Sequence, residues 1–227
     1  MGFDSGGESV SFYVSEPGEL RAVFKLEAGT LAPTFGTGSV QVASGGVVTG
    51  AMQAGGLQSP FPTTPQNLGC DLSGSLTERV QLTLAITCSD AAGIVYDETV
   101  TFAYQSQYDE DSSLDAIAGN YTVTFAPGIN TLNIAADGTI FGMFHMTANC
   151  TVNGTVSLID PDYALFDVTW TFSNCIDPFA FVFEGKSLSG FAMPVPNPAI
   201  FPGGYYFLLT ETGTNNFQVL SINYVPT

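Results

Sequence analysis

The chain has 227 residues, of which 45% are hydrophobic and 12% aromatic, but only 11% are charged. Four cations, Arg21, Lys25, Arg79 and Lys186, stand against 21 acidic residues, giving a formal charge of −17. Neutralising phosphates takes clustered Lys and Arg, so this balance argues against nucleic acid, anionic lipid surfaces and phosphorylated substrates, and leaves divalent cations or cationic surfaces as the charged partners it suits.

Length and apolar content suffice for a core in one large or two small domains. No run approaches the roughly 18 apolar residues of a membrane-spanning helix. Residues 1–9 begin "MGFDSGGES", polar and Gly/Ser-rich, and read as a flexible tether. Four cysteines, an even number, suit an oxidising compartment. Together these features suggest an exported chain whose signal has been removed, with Met1 supplied in expression; a sharper hypothesis is that Met1 replaces a lipid-bearing cysteine.

From residue 10 onward the dominant pattern is period-2 alternation. In "ELRAVFKLE", Leu20, Ala22, Phe24 and Leu26 alternate with Arg21, Val23, Lys25 and Glu27, a strand with one wet face. Further strands are expected at 9–15, 39–43, 47–53, 71–76, 80–88 and 98–104. A second series follows at 121–126, 131–135, 139–147, 151–158, 164–173, 180–184, 187–193, 205–211 and 217–225. Gly, Pro, Asn and Asp punctuate them as turn residues. Strands recurring at about 8–12-residue spacing predict an all-β protein, an antiparallel β-barrel or sandwich.

Residues 108–118, "YDEDSSLDAIA", interrupt the alternation. Ser112 or Ser113 is placed to cap a short helical turn ending near Ile117, with Gly119 as its stop. This reads as an acidic linker between a first β domain, 10–107, and a second, 119–227. Its Asp109, Glu110, Asp111 and Asp115 are candidate oxygen ligands for calcium, without the spacing of an EF-hand.

The two sides of the linker look related. "GGVVTG…CDLSGSL…VQLTLAITC" covers 45–88 and "DGTIFG…CTVNGTV…ALFDVTWTFSNC" covers 137–175. Each has a turn glycine, a short strand ending in Gly, a Cys-x-x-x-Gly strand, and an alternating strand before a second Cys. We infer two halves arising by internal duplication. In the first copy, folding antiparallel about Arg79 sets Leu76 against Leu82, Gly74 against Leu84, Leu72 against Ile86 and Cys70 against Cys88. One register thus satisfies both burial and a disulfide. In the second, the apolar match is Leu158–Phe166, Val156–Val168, Gly154–Trp170 and Val152–Phe172 about a three-residue loop at 161–163. That register places Cys150 opposite Asn174, one residue short of Cys175. A Cys150–Cys175 bridge therefore requires a bulge near Asn174, or a Cys175 that has already left the strand.

His145 is the only histidine and shares a strand side with Phe141 and Met143. With the cysteines oxidised and no Gly-x-Ser-x-Gly elbow, nucleophilic catalysis has no evident machinery. The acids lie mostly at turns, where turn preference accounts for them without a glycosidase pair. Asn120, Asn149 and Asn153 each open an Asn-x-Thr acceptor pattern. Aromatic and proline residues concentrate in 179–209, and Phe141, His145, Trp170, Phe181 and Tyr205 are the candidate lining of a ligand-holding barrel.

Across Gly119-Asn-Tyr, Leu132-Asn-Ile, Asp137-Gly-Thr-Ile-Phe-Gly, Cys150-Thr-Val-Asn-Gly-Thr-Val, Tyr163 and Asn174-Cys, the chain resembles a group of proteobacterial lipoproteins without an assigned activity. The resemblance covers roughly residues 119–195 and implies export and a β fold. The Gly-x-Tyr opening is also similar to the start of a lipocalin barrel, with Tyr121 where lipocalins carry Trp. That resemblance implies a carrier of small apolar molecules.

The combined expectation is an exported bacterial protein, outer-membrane-anchored, periplasmic or extracellular. It would be a non-enzymatic scaffold that binds another protein or assembles with itself. The alternatives are a lipocalin-like carrier and, third, a carbohydrate-active enzyme or binding module. No cofactor is expected beyond calcium. Nucleic acid is not a partner, and a membrane enters only through an N-terminal anchor.

Overall fold

The computed structural model describes residues 2–3, 9–15, 17–24, 34–56, 68–104, 109, 112–125, 128–144, 149–176, 183–194, 203–211 and 219–227. The chain divides at 105/106 into two compact units. The first is a closed antiparallel barrel of eight strands in chain order: β1 (Gly2–Phe3), β2 (Ser9–Val14), β3 (Glu19–Phe24), β4 (Thr34–Val42), β5 (Val47–Gly56), β6 (Leu68–Thr77), β7 (Gln81–Asp90) and β8 (Gly93–Ala103). The second opens with a helical turn, α1 (Leu114–Ile117). It then closes β9 (Gly119–Phe125), β10 (Gly128–Ile134), β11 (Thr139–Phe144), β12 (Cys150–Leu158), β13 (Phe166–Ser173), β14 (Ser187–Pro194), β15 (Tyr205–Glu211) and β16 (Val219–Pro226) into a second eight-stranded barrel.

Alternation drives both closures. In the first barrel Leu20, Val48, Met52, Leu72, Leu84, Ile86 and Val100 point inward and are buried. In the second the inward set is larger and more aromatic: Phe144, Phe166, Trp170, Phe172 and Phe207 join Leu132, Ile140, Val152 and Leu209. The outward positions carry mainly Thr, Ser, Asn and Asp, as the exposed residues of β6, β7, β12 and β13 show. A membrane-spanning barrel has the opposite arrangement, apolar outside and polar within. No helix among the described residues is long and apolar enough to cross a membrane.

The same local construction occurs three times: at the β2–β3 turn Ser15 donates to Glu19 at 2.9 Å and Gly18 to Ser15 at 2.8 Å, and Val40 of β4 donates to Gly18 at 2.9 Å. In the β4–β5 turn, Ala43 donates to Val47 at 2.8 Å and Gly46 to Ala43 at 3.1 Å, and Leu76 of β6 donates to Gly46 at 2.7 Å. In the β10–β11 turn, Ala135 donates to Thr139 at 2.9 Å and Gly138 to Ala135 at 2.9 Å, and Val156 of β12 donates to Gly138 at 2.8 Å. Gly46 and Gly138 take φ of 80° and 83°, a left-handed conformation that disfavours a side chain. Gly74 and Gly154 also match. A Cβ on either would overlap the facing carbonyl oxygen, that of Thr83 or Thr169, so the strands approach this closely only with glycine there. Three strands precede the shared block in the first barrel and one precedes it in the second, so the two rings start at different points around the same construction.

Both cysteine pairs are disulfides. Cys70 faces Cys88 in the ladder predicted, with Leu72–Ile86, Gly74–Leu84 and Leu76–Leu82 in register. Cys150 bonds Cys175 with Cα atoms 4.0 Å apart. The ladder runs from Leu158–Phe166 to Thr151–Ser173 and stops there. Asn174 then turns left-handed, φ 54°, and this single residue carries Cys175 out of the strand and back over Cys150. Asparagine tolerates that conformation better than most residues.

Several boundaries differ from the sequence reading. Gly2 and Phe3 are not tether. They form β1, paired to both β2 and β8. The 161–163 loop is longer than three residues, because pairing ends at Leu158–Phe166 and the buried Ala164 and Leu165 tuck beneath the turn instead of continuing β13. The expected strand at 180–184 falls mostly outside the described residues, and Glu184 lies in a turn.

The described part of the segment 108–118 holds the expected helical turn next to the division between the units, and it packs onto the second barrel. The Ser113 hydroxyl accepts from the Ala116 amide at 3.2 Å and caps α1. Buried Ile117 joins the second core. The Tyr121 hydroxyl donates to the Ile117 carbonyl at 2.6 Å and that of Tyr205 to the Ala116 carbonyl at 3.0 Å. Ser112 donates its amide to Pro161 at 2.7 Å. The helical turn therefore closes one end of the second barrel. Burial, and secondarily Tyr205, pushes the Tyr121 phenol up to about 12 from 10.0. Its stabilising contribution is complete below pH 10.0 and is lost as pH rises through about 12.

Candidate functional site

Eight strands give a barrel just wide enough for side chains to fill it, and the second barrel is filled by rings. Trp170, the only tryptophan, is fully buried. It lies 5.4 Å from the Phe207 ring and 6.4 Å from that of Phe172, centroid to centroid. Its Cδ1 covers Gly154, 3.1 Å from where a Cβ would stand. Phe144, Phe172 and Phe183 form a second group with centroids 5.2 to 5.4 Å apart. Tyr205 meets Tyr121 and Phe166 at 5.9 Å near the α1 end.

Opposite α1 lies the mouth, where Cys150–Cys175 and the segment before β14 meet. Glu184 accepts from the Cys175 amide at 2.8 Å. Lys186 faces Phe172, whose amide donates to the Lys186 carbonyl at 3.0 Å. The Lys186 ammonium pairs with Glu211, whose side chain is only 3% exposed. Glu211 follows Tyr205, Phe207 and Leu209 on the inward side of β15, so the pair sits inside the barrel wall. One Glu211 oxygen, Oε2, has no partner among the described residues.

Removing one member of a buried pair strands the other charge. Lys186→Met is expected to cost about 2 kcal/mol, less than a fully buried pair because Lys186 is 31% exposed. Lys186→Met with Glu211→Leu should recover most of that loss. Urea denaturation followed by Trp170 fluorescence measures both.

Of the predicted ligand set, Trp170 and Tyr205 share the interior and take part in its packing. Phe141 does not join them. It is 55% exposed on the outer face of β11, because Ile140, Gly142 and Phe144 take the inward positions. His145 and Phe181 lie outside the described residues. Of the calcium candidates, Glu110 and Asp111 also lie outside them. Asp115 is exposed in the first turn of α1, and Asp109 is half-buried. Among the described residues no group of three or more His, Cys, Asp or Glu is placed to hold a metal. The Lys186–Glu211 pair was missed by sequence reasoning. Its only signal was parity, since both residues fall on the inward side of runs otherwise apolar.

Fold and site together define a protein of two closed, water-facing antiparallel β-barrels, each stapled by one disulfide of the kind formed in an oxidising compartment. No protein-family model, curated protein or solved structure matches the chain.

Proposed function

We propose that the chain is an exported, non-enzymatic bacterial protein of the cell surface or periplasm, a rigid scaffold that recognises its partners with its outer faces. The observation that carries this reading is the packing of rings in the second interior. Carriers of small apolar molecules bind them in a lined, open volume, whereas Trp170 packs inside this barrel against both Phe172, on its own strand, and Phe207, on β15. The disulfides favour export, and the hydroxyl-rich, lysine-poor exterior suits a surface component.

Trp170 makes the test direct, because it is the sole tryptophan and lies inside the second barrel. Titration with a fluorescent fatty-acid analogue is expected to leave Trp170 emission unchanged. Native mass spectrometry of protein purified from its source should show protein assemblies free of small apolar adducts. Saturable quenching of Trp170, or a stoichiometric lipid mass in either barrel, would favour the lipocalin-like carrier instead.

A further inference from the structure

The outer face of β11 carries the other unexplained feature of the second barrel. Phe141 is 55% and Met143 42% exposed there. The cross-strand partners of Phe141 are Asn133 on β10 and Asn153 on β12. Directly opposed residues have Cα atoms about 4.5–5.5 Å apart with side chains on one face, so the ring is bracketed by a carboxamide on each side. Asn133 donates to Asn120 at 2.8 Å, which orients that amide. The Asn153 side chain is exposed on the same face, and its amide makes no hydrogen bond to another side chain among the described residues. Thr131 and Thr151 flank Met143 in the same way, and Thr139 and Thr155 stand about 7 Å along the strands on the other side of the ring.

None of these positions is charged, on a chain that carries −17. That neutrality selects the occupant. A basic peptide would find no carboxylate on the patch. A lipid surface would desolvate the flanking amides and hydroxyls without replacing their hydrogen bonds. A neutral sugar satisfies both parts. The polarised C–H groups of one ring face lie on the negative face of an aromatic ring. Its equatorial hydroxyls extend sideways toward the amides, which both donate and accept.

We propose that the outer face of β10–β12, centred on Phe141 and bracketed by Asn133 and Asn153, binds neutral polysaccharide. The proposal rests on the reading that recognition is external, and it names the class of partner. Affinity electrophoresis of the full chain through gels containing laminarin, galactomannan or dextran tests it. At least one of these polysaccharides is expected to retard the protein. Phe141→Ala should weaken retardation at least tenfold, Asn153→Ala several-fold, and Phe141→Tyr should retain it. Both sites are exposed, and an unchanged thermal melt establishes that each variant folds.

Two results overturn the platform: no retardation by any of the three polysaccharides, or retardation equal in wild type and Phe141→Ala. Concentration-dependent dimerisation in sedimentation velocity that Phe141→Ala abolishes would also overturn it, by assigning the face to a second copy. None of these outcomes touches the Trp170 titration, so failure of the platform stays separate from failure of the scaffold reading.

Discussion

Trp170→Ala is expected to lower the stability of the second barrel by about 4 kcal/mol, a substantial share of the roughly 5–15 kcal/mol a typical domain holds in reserve. The indole is fully buried and meets Phe172 and Phe207. Removing it forfeits both the transfer energy of the largest side chain in the core and its contacts with the surrounding rings. Collapse cannot repair the gap, because Trp170 also covers Gly154, a position where no side chain exists to swing inward. Trp170→Phe keeps a ring at the site and should cost less than half as much. Urea denaturation monitored by circular dichroism measures the series, since the variants lose the fluorescent reporter. A loss below about 1 kcal/mol for the alanine variant would mean that the barrel centre is loosely packed, and would reopen the carrier reading.

The second large effect concerns the staples. Cys70 and Cys88 are separated by 18 residues, Cys150 and Cys175 by 25. Loops of this size restrict the unfolded chain by about 3 kcal/mol each in the chain-entropy description. Cys70→Ala with Cys88→Ala, and Cys150→Ala with Cys175→Ala, should each lower the unfolding free energy by about that much. The second pair should bring an additional local effect. Without its bond, Cys175 loses the constraint that holds the left-handed Asn174, and the Glu184 contact to the Cys175 amide loosens with it. Hydrogen exchange at residues 174–176 separates the cases: faster exchange there in the second variant, and none of comparable size beside position 88 in the first. Equal protection at both sites would show that Asn174 is held by its surroundings and not by the bridge.

Much of this was readable beforehand where a single side of a strand is apolar. The Cys70–Cys88 ladder followed from alternation alone, because a one-residue slip would have put Leu72, Leu84 and Ile86 in water. The mismatch before Cys175 was readable for the same reason, and Asn174 resolves it with a conformation that asparagine accepts. The strand 139–144 was not readable in the same way. In "TIFGMF" both sides are apolar, Ile140 and Phe144 on one and Phe141 and Met143 on the other, so alternation fixes the partition but not which set is core. The neighbouring strands decide it, through Gly142 packed against Leu132 and Gly154 beneath Trp170. Phe141 was therefore assigned to a lining it does not belong to. The N-terminal strand was hidden by composition, since Gly2–Phe3 is held by backbone pairing to β2 and β8. The helical turn in the acidic segment was readable but its docking was not, because its two anchors, the Tyr121 and Tyr205 hydroxyls, come from strands after it.

Each ring is sealed where its first strand meets its last. Among the described residues these seams are short: Gly2 and Phe3 against Phe102 and Thr101, and Tyr121 and Thr122 against Pro226 and Val225. Every other ladder joins neighbours in the chain and forms at little entropic cost, whereas a seam must gather segments from opposite ends of a barrel. Each cysteine hairpin joins adjacent strands and can be oxidised while its ring is still an open sheet. Closure of the second barrel waits for β16. Until then the β9 edge is unpaired, and that interval is when this chain is most exposed to pairing with other strands.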